Sequence, residues 1–229
     1  SYEAPLRVKL RLNNKSLSKS KEQELFMADL PLMTEHGTFV INGDERVIVP
    51  QLARSFGVFF TASEYRGRKF FGAKIIPARG AWVEIESEAD GAIYVKIDRK
   101  RKFPASALLR VLGAKFDKDM LSLFAKVPHG KEHITATLEK DTAESIDDSY
   151  VEIYKRLRDG DLATVENARE FVKSIFSEER YDLSEIGRHH FNERFNRATS
   201  DKEIARRTVT LEDVVTIIKN IIELNHTPG

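Results

Sequence analysis

The stretch AIYVKIDRKRKFPASALLRVLG, residues 92–113, decides the fold class. Residues 92–97 are rich in branched and aromatic side chains and read as a strand. Leu108, Leu109, Val111 and Leu112 then cluster between Pro104, which the first turn of a helix tolerates, and Gly113, which stops one. Between strand and helix lies a basic run. Lys96, Arg99, Lys100, Arg101 and Lys102 there oppose a single acid, Asp98. Strands precede this junction and helices follow it. That order predicts an α+β fold with an antiparallel β-rich first part and a mainly helical section over about 103–226, not an alternating α/β chain.

Working outward towards the N-terminus, residues 57–61, 69–76 and 82–87 read as further strands. Gly72, Pro77, Gly80 and Gly91 punctuate them in the manner of a small meander. Leu6, Val8, Leu10 and Leu12 alternate with Arg7, Lys9 and Arg11, the period of a half-buried strand with a basic outer face. Residues 13–21 read as a polar loop tip, 23–30 as a returning strand and 38–41 as a short third strand. Asn42-Gly43 follows, and both residues tolerate the positive φ of a tight hairpin turn. Towards the C-terminus a helix is expected at 118–127, then a loop through Pro128 and Gly130. Ile146, Tyr150, Ile153, Tyr154 and Leu157 recur at helical spacing, and helices at 165–176 and 184–195 follow. The last helix has the clearest apolar face, formed by Leu211, Val214, Val215, Ile218, Ile221 and Ile222. Thr210 with Asp213 resembles a capping box at its start. Thr227-Pro228-Gly229 reads as a cut in a longer chain.

The composition narrows the functions. The 229 residues contain 37 basic and 36 acidic side chains, a net charge of +1, and no cysteine. Disulfides and thiolate metal sites are therefore excluded. No apolar stretch approaches the ~18 residues of a membrane span, so no membrane partner is expected. The first residues lack the layout of a secretion signal, which makes the cytoplasm the expected location. A protein this close to neutral would touch nucleic acid only through a local patch. No metal site is expected: His189 and His190 are neighbours pointing ~100° apart on a helix, and His36, His129, His133 and His226 look scattered. Asp147 and Asp148 read as first-turn helix acids. No nucleophile–base order or phosphate loop stands out, so no catalytic residue is assigned.

A family resemblance emerges from motifs in collinear order. Residues 31–43, PLMTEHGTFVING, resemble the beta subunit of bacterial RNA polymerase. The likeness continues through Glu45 to Val49, Gln51, Arg54-Ser55 and Gly57-Val58. It recurs at Ile75-Ile76-Pro77 with Arg79-Gly80 and Trp82, and at Ile97 to Pro104. Later it returns at Ile153-Tyr154, Leu157-Arg158 and Gly160, and at Glu179 to Ser184 with Gly187-Arg188. It implies that residues 1–45 are part of the protrusion and 46–229 the lobe. That would be a non-catalytic piece of a nucleotidyltransferase, with no cofactor of its own, because the magnesium of the whole polymerase is held by the partner subunit. Implied partners are DNA, the beta-prime, alpha and omega subunits, sigma factor, and the transcription-repair coupling factor or CarD-type regulators. Three residues depart from the family pattern: Pro50 stands for Ser, Phe56 for Pro and Ser20 for Ile. The lobe's family insertion is absent after Val127.

The resemblance gives candidate residues their roles, and each has a plainer alternative. Arg99, Lys100 and Arg101 would hold DNA phosphates, or would simply be a solvated charge run. Trp82 would stack on a non-template-strand base, or fill a core. Arg54 would hold a flanking phosphate, or make a surface ion pair. Arg188 would face the DNA, or pair with Glu185 on a helix surface. Arg46, Val49 and Gln51 would belong to the wall of the rifamycin region, where Pro50 removes a backbone donor; alternatively Arg46 pairs with Asp44 or Glu45. Phe56 would loosen the turn before Gly57. Lys21 and Glu22 would dock regulators, or lie in a solvated loop. Against the polymerase reading stands a free protein-interaction domain with a basic loop.

Overall fold

The computed structural model describes residues 2–14, 19–158, 160 and 162–227. It divides into two compact units, Ser1–Ala53 and Arg54–Gly229. Residues 47–53 form no regular element and group with the first unit. Part of the expected loop tip (15–18) and the last two residues of the chain lie outside the described residues.

The first unit is made of two β-hairpins. Strands β1 (Glu3–Asn14) and β2 (Lys19–Pro31) pair antiparallel, with a bulge between Leu6 and Arg7. The shorter β3 (Phe39–Ile41) and β4 (Asp44–Arg46) flank Asn42-Gly43, whose φ angles of 52° and 86° make the expected left-handed turn. In β1 the structure corrects an expectation. Its alternating apolar residues do share a face with Leu25 and Leu30 of β2, as the register Val8↔Leu25 and Ala4↔Leu30 requires. That face is open, however: Leu6 is 41% and Leu10 50% exposed. A two-stranded ribbon has no second layer of its own to bury it.

The second unit is α+β, as the order of elements predicted. Strands β5 (Gly57–Tyr65), β6 (Arg68–Ile76), β7 (Val83–Ser87), β8 (Ile93–Ile97) and the short β9 (Phe103–Pro104) form one antiparallel meander in sequence order. Helices α1 (Ala105–Leu112), α2 (Asp117–Leu123), α3 (Gly130–Glu139), α4 (Ile146–Leu157), α5 (Val165–Ile175), α6 (Ser184–Arg194), α7 (Asp201–Ile204) and α8 (Leu211–His226) follow. Helix α8 lies over β6 and β7, and α6 lies against β5. Ile75, Ile85, Val95 and Ile97 from the sheet meet Leu108, Ile153, Ile218 and Ile221 from the helices in one core. The start of α8 is fixed as expected: Thr210 accepts from the Asp213 amide, and the Asp213 carboxylate accepts from the Thr210 amide. Helix α3 follows the expected loop in a stretch to which the sequence assigned no element. Only Gly130, Ile134 and Thr137 of it are buried, so its apolar face is too thin to register as a period.

Candidate nucleic-acid interface

Sheet register brings distant candidates together. Gly57 pairs with Ile76, Ile75 with Val83, and Val83 with Ile97. Residues 54–56, 77–82 and 98–102 therefore all leave the same end of the sheet. Three strand spacings, roughly 14 Å, separate the first segment from the last.

At this end Trp82 is held by its backbone while its ring stays partly exposed. The Trp82 amide donates to Asp98 Oδ1 at 2.8 Å, and the Asp98 amide donates to the Trp82 carbonyl at 2.9 Å. Asp98 and Arg99 both adopt left-handed φ, at 49° and 58°, and the Lys100 amide closes the turn on the Ile97 carbonyl at 3.0 Å. Such a turn is unusual for two residues that are not glycine. It swings Arg99 back so that its guanidinium lies 5.6 Å from the Trp82 ring centre. The lone acid of the basic run thus acts as a brace for the tryptophan. The run is also smaller than it reads, since Lys96 is bound to Glu86 at 2.6 Å and Lys102 to Glu88. Arg99, Lys100 and Arg101 are exposed. Exposed Arg54 lies 4.7 Å over the Phe59 ring.

Neighbouring segments hold this end of the sheet in place. Gly80 has φ +120°, and a Cβ there would come within 2.9 Å of the Tyr181 ring. The amides of Ala78 and Arg79 donate to the Asp182 carbonyl, fastening the turn to the helical section. Phe56 does not loosen its turn as expected. It packs so closely on α6 that a Cβ on Gly187 would lie 3.0 Å from its own. Asp98 as a brace and Gly187 as a seat were both missed in the sequence. The only available signal was that Asp98 is the sole acid among five cations.

Arg188 corrects another expectation. It neither faces solvent nor pairs with Glu185, and only 3% of it is exposed. Its guanidinium spans both oxygens of buried Asp213 at 3.0 Å and donates to the carbonyls of Arg206 and Thr208. Arg197 adds a further bond to Asp213 at 2.7 Å. With its guanidinium buried and bonded inside the protein, Arg188 rivets α6 to α8 instead of facing a phosphate.

In the first unit, Arg46 is exposed and 3.8 Å from Asp44, the plainer of its two readings. It borders an apolar cleft of about 320 Å³ with Pro31, Phe39, Ile41, Val47 and Ile48. Val49 is exposed, and exposed Gln51 reaches back to its carbonyl at 3.5 Å. Lys21 and Glu22 lie exposed on β2, and Glu22 is paired with Arg11 across the ribbon. Asp147 and Asp148 are first-turn acids of α4, as expected. The Ser145 hydroxyl bonded to Asp148 holds that carboxyl below its usual range. The histidines are less scattered than they look in the sequence, for His129, His133 and His226 meet. Among the described residues, no three His, Cys, Asp or Glu side chains are placed to hold a metal ion. No helix among them is long and apolar enough to cross a membrane.

The residues that form the meander and its helical cover match a known family model. RNA polymerase Rpb2, domain 2, covers residues 54–229, the same stretch that forms the second unit, and the chain belongs to that family. The chain is also similar to proteins named DNA-directed RNA polymerase subunit beta. It is 49% identical over 198 residues to the one from Exiguobacterium sp., and 46% and 48% identical over 198 residues to those from Clostridium kluyveri and Lysinibacillus sphaericus. Each match covers 86% of this chain but 16% of the relative, so the chain spans about a sixth of the length of these curated proteins. The resemblance carried by the motifs is thereby borne out.

Proposed function

We propose that this chain is a non-catalytic section of a bacterial RNA polymerase beta subunit, with the second unit as lobe and the first as part of the protrusion. On this reading it lines one wall of the DNA cleft during DNA-templated RNA synthesis in the cytoplasm. Nucleotidyl transfer and its magnesium belong to other parts of the assembly, in company with the beta-prime, alpha and omega subunits and sigma factor. One observation carries the reading: Arg54, Trp82 and the Arg99–Arg101 run issue from one end of one sheet. Cations there can replace the counterions of a phosphate backbone. The Trp82 face can stack a base of any sequence, worth ~1–3 kcal/mol. Pre-positioning by Asp98 lowers the ordering cost of that contact. Lys21 and Glu22 remain the proposed docking point for regulators, and Arg46, Val49 and Gln51 the proposed rifamycin-region wall.

Fluorescence anisotropy with a bubble duplex tests the DNA reading. Trp82→Ala should weaken binding about tenfold at low salt, and Arg99→Ala should lower the slope of log affinity against log salt by about one. Identical, salt-insensitive curves for all three proteins would overturn it. They would favour a protein-interaction domain instead, a reading to which the open apolar face of the β1–β2 ribbon lends support.

A further inference from the structure

We infer that His133 and His226 form a one-proton latch that fastens the last turn of α8 to α3 and opens on acidification. The two histidines are 93 residues apart in sequence, yet their Nε2 atoms lie 2.9 Å apart. The ring centres are 5.1 Å apart, with planes at 71°. That is the separation of two imidazoles sharing one N–H···N bond head-on, not of two rings turned towards a common ion.

The protons can be placed from the partners. His133 Nδ1 lies 2.7 Å from the Gly91 carbonyl, which can only accept, so Nδ1 carries a proton. Neutral His133 therefore presents a bare Nε2, and His226 donates to it. One added proton can sit on the far nitrogen of His226 and leave the bond intact. A cation there is at the C-terminal end of α8, where the helix dipole favours it. A second added proton has only His133 Nε2 left to take. The two N–H groups would then face each other and the bond would be lost.

The surroundings add to this. His129 stacks on His226 with centres 4.0 Å apart, and its Nδ1 is 3.0 Å from Glu132 Oε2. Arg68 and Lys69 of the β5–β6 hairpin, and Glu88 and Asp90 of the β7–β8 turn, line the same cleft of about 780 Å³. Both acids are engaged elsewhere, Glu88 by Lys102 and Asp90 by Lys140 at 3.7 Å. Glu132 is thus the carboxylate left to offset charge on the cluster. Burial, and then His129 and His133, hold His226 below the ordinary imidazole value of 6.5, with Glu132 opposing. A depressed histidine means that the unfolded chain binds more protons. The cluster's contribution is therefore complete above about pH 6.5 and weakens as pH falls through the lower folded value of His226, the first of the two protons; the bond itself opens with the second. Beside the latch, the Asn225 side-chain Oδ1 accepts from the Phe71 amide at 3.1 Å, so opening loosens α8 from β6 as well.

The test uses the 229-residue chain, as wild type and His226→Gln. His226 is exposed, so the variant should fold. Imidazole nitrogen NMR of the wild type should show His133 and His226 titrating in two separated steps, and His226→Gln should leave His133 a single step. Amide exchange at residues 223–227, corrected for pH, should rise at least tenfold between pH 7.5 and 5 in the wild type only. The wild-type Tm should fall about 2–4 °C further than the variant's over that interval. Independent single-step titration of both histidines, or the same pH response in both proteins, would overturn the latch. If His226→Gln did not fold, the wild-type titration alone would decide.

Discussion

The two units use the same residue types differently. In the first, Arg7–Glu24, Arg11–Glu22 and Arg46–Asp44 are ion pairs in open solvent, and such pairs contribute ~0–1 kcal/mol. In the second, Arg110 bonds buried Asp141 and Arg188 bonds buried Asp213, each arginine only 3% exposed. Removing one partner there strands a charge away from water. The apolar residues divide in the same way: Leu6 and Leu10 face solvent while Ile85 and Ile218 are fully buried. The second unit closes its own core, whereas the ribbon of the first carries an apolar face without a cover of its own. Sequence alternation reports which residues share a face, but not whether a second layer exists.

Four experiments can break or sharpen this contrast. Asp213→Ala should have the largest effect, because it leaves Arg188 buried without its counter-charge and removes the carboxylate half of the α8 capping box. A loss of about 3–5 kcal/mol is expected in urea unfolding, and a loss below 1 would mean that water enters the site. Ile85→Ala should cost about 3 kcal/mol by the same measurement, with the cavity it leaves only partly relaxed. Thr210→Ala, which removes one capping acceptor from α8, should cost about 1 kcal/mol. Leu10→Ala should change stability by no more than about 0.5 kcal/mol. If Leu10→Ala instead matched Ile85→Ala, the first unit would possess a core and the contrast would collapse.

Local chemistry was legible in the sequence and long-range company was not. The Asn42-Gly43 turn, the Thr210–Asp213 cap and the meander each depend on residues close together in the chain, and all stand as read. Arg188 looked like a surface residue of α6 because its partners, Asp213 and the carbonyls of Arg206 and Thr208, come from the end of the chain. The basic run looked larger than it is because Glu86 and Glu88 reach it only once β7 and β8 pair. The histidine cluster was invisible for the same reason. Helix α3 was missed for a different one: a helix that buries so little leaves a weak periodic trace.

The position of α8 bears on how the chain is made. This helix comes after every other described element in chain order, yet it covers β6 and β7, and the side chain of its Asn225 bonds a backbone amide 154 residues earlier. The meander must therefore emerge from the ribosome with its inner surface wet, and wait while the intervening helices are translated. Chaperone occupancy on nascent chains should accordingly persist until residues beyond 222 have cleared the exit tunnel, and fall sharply once α8 can dock.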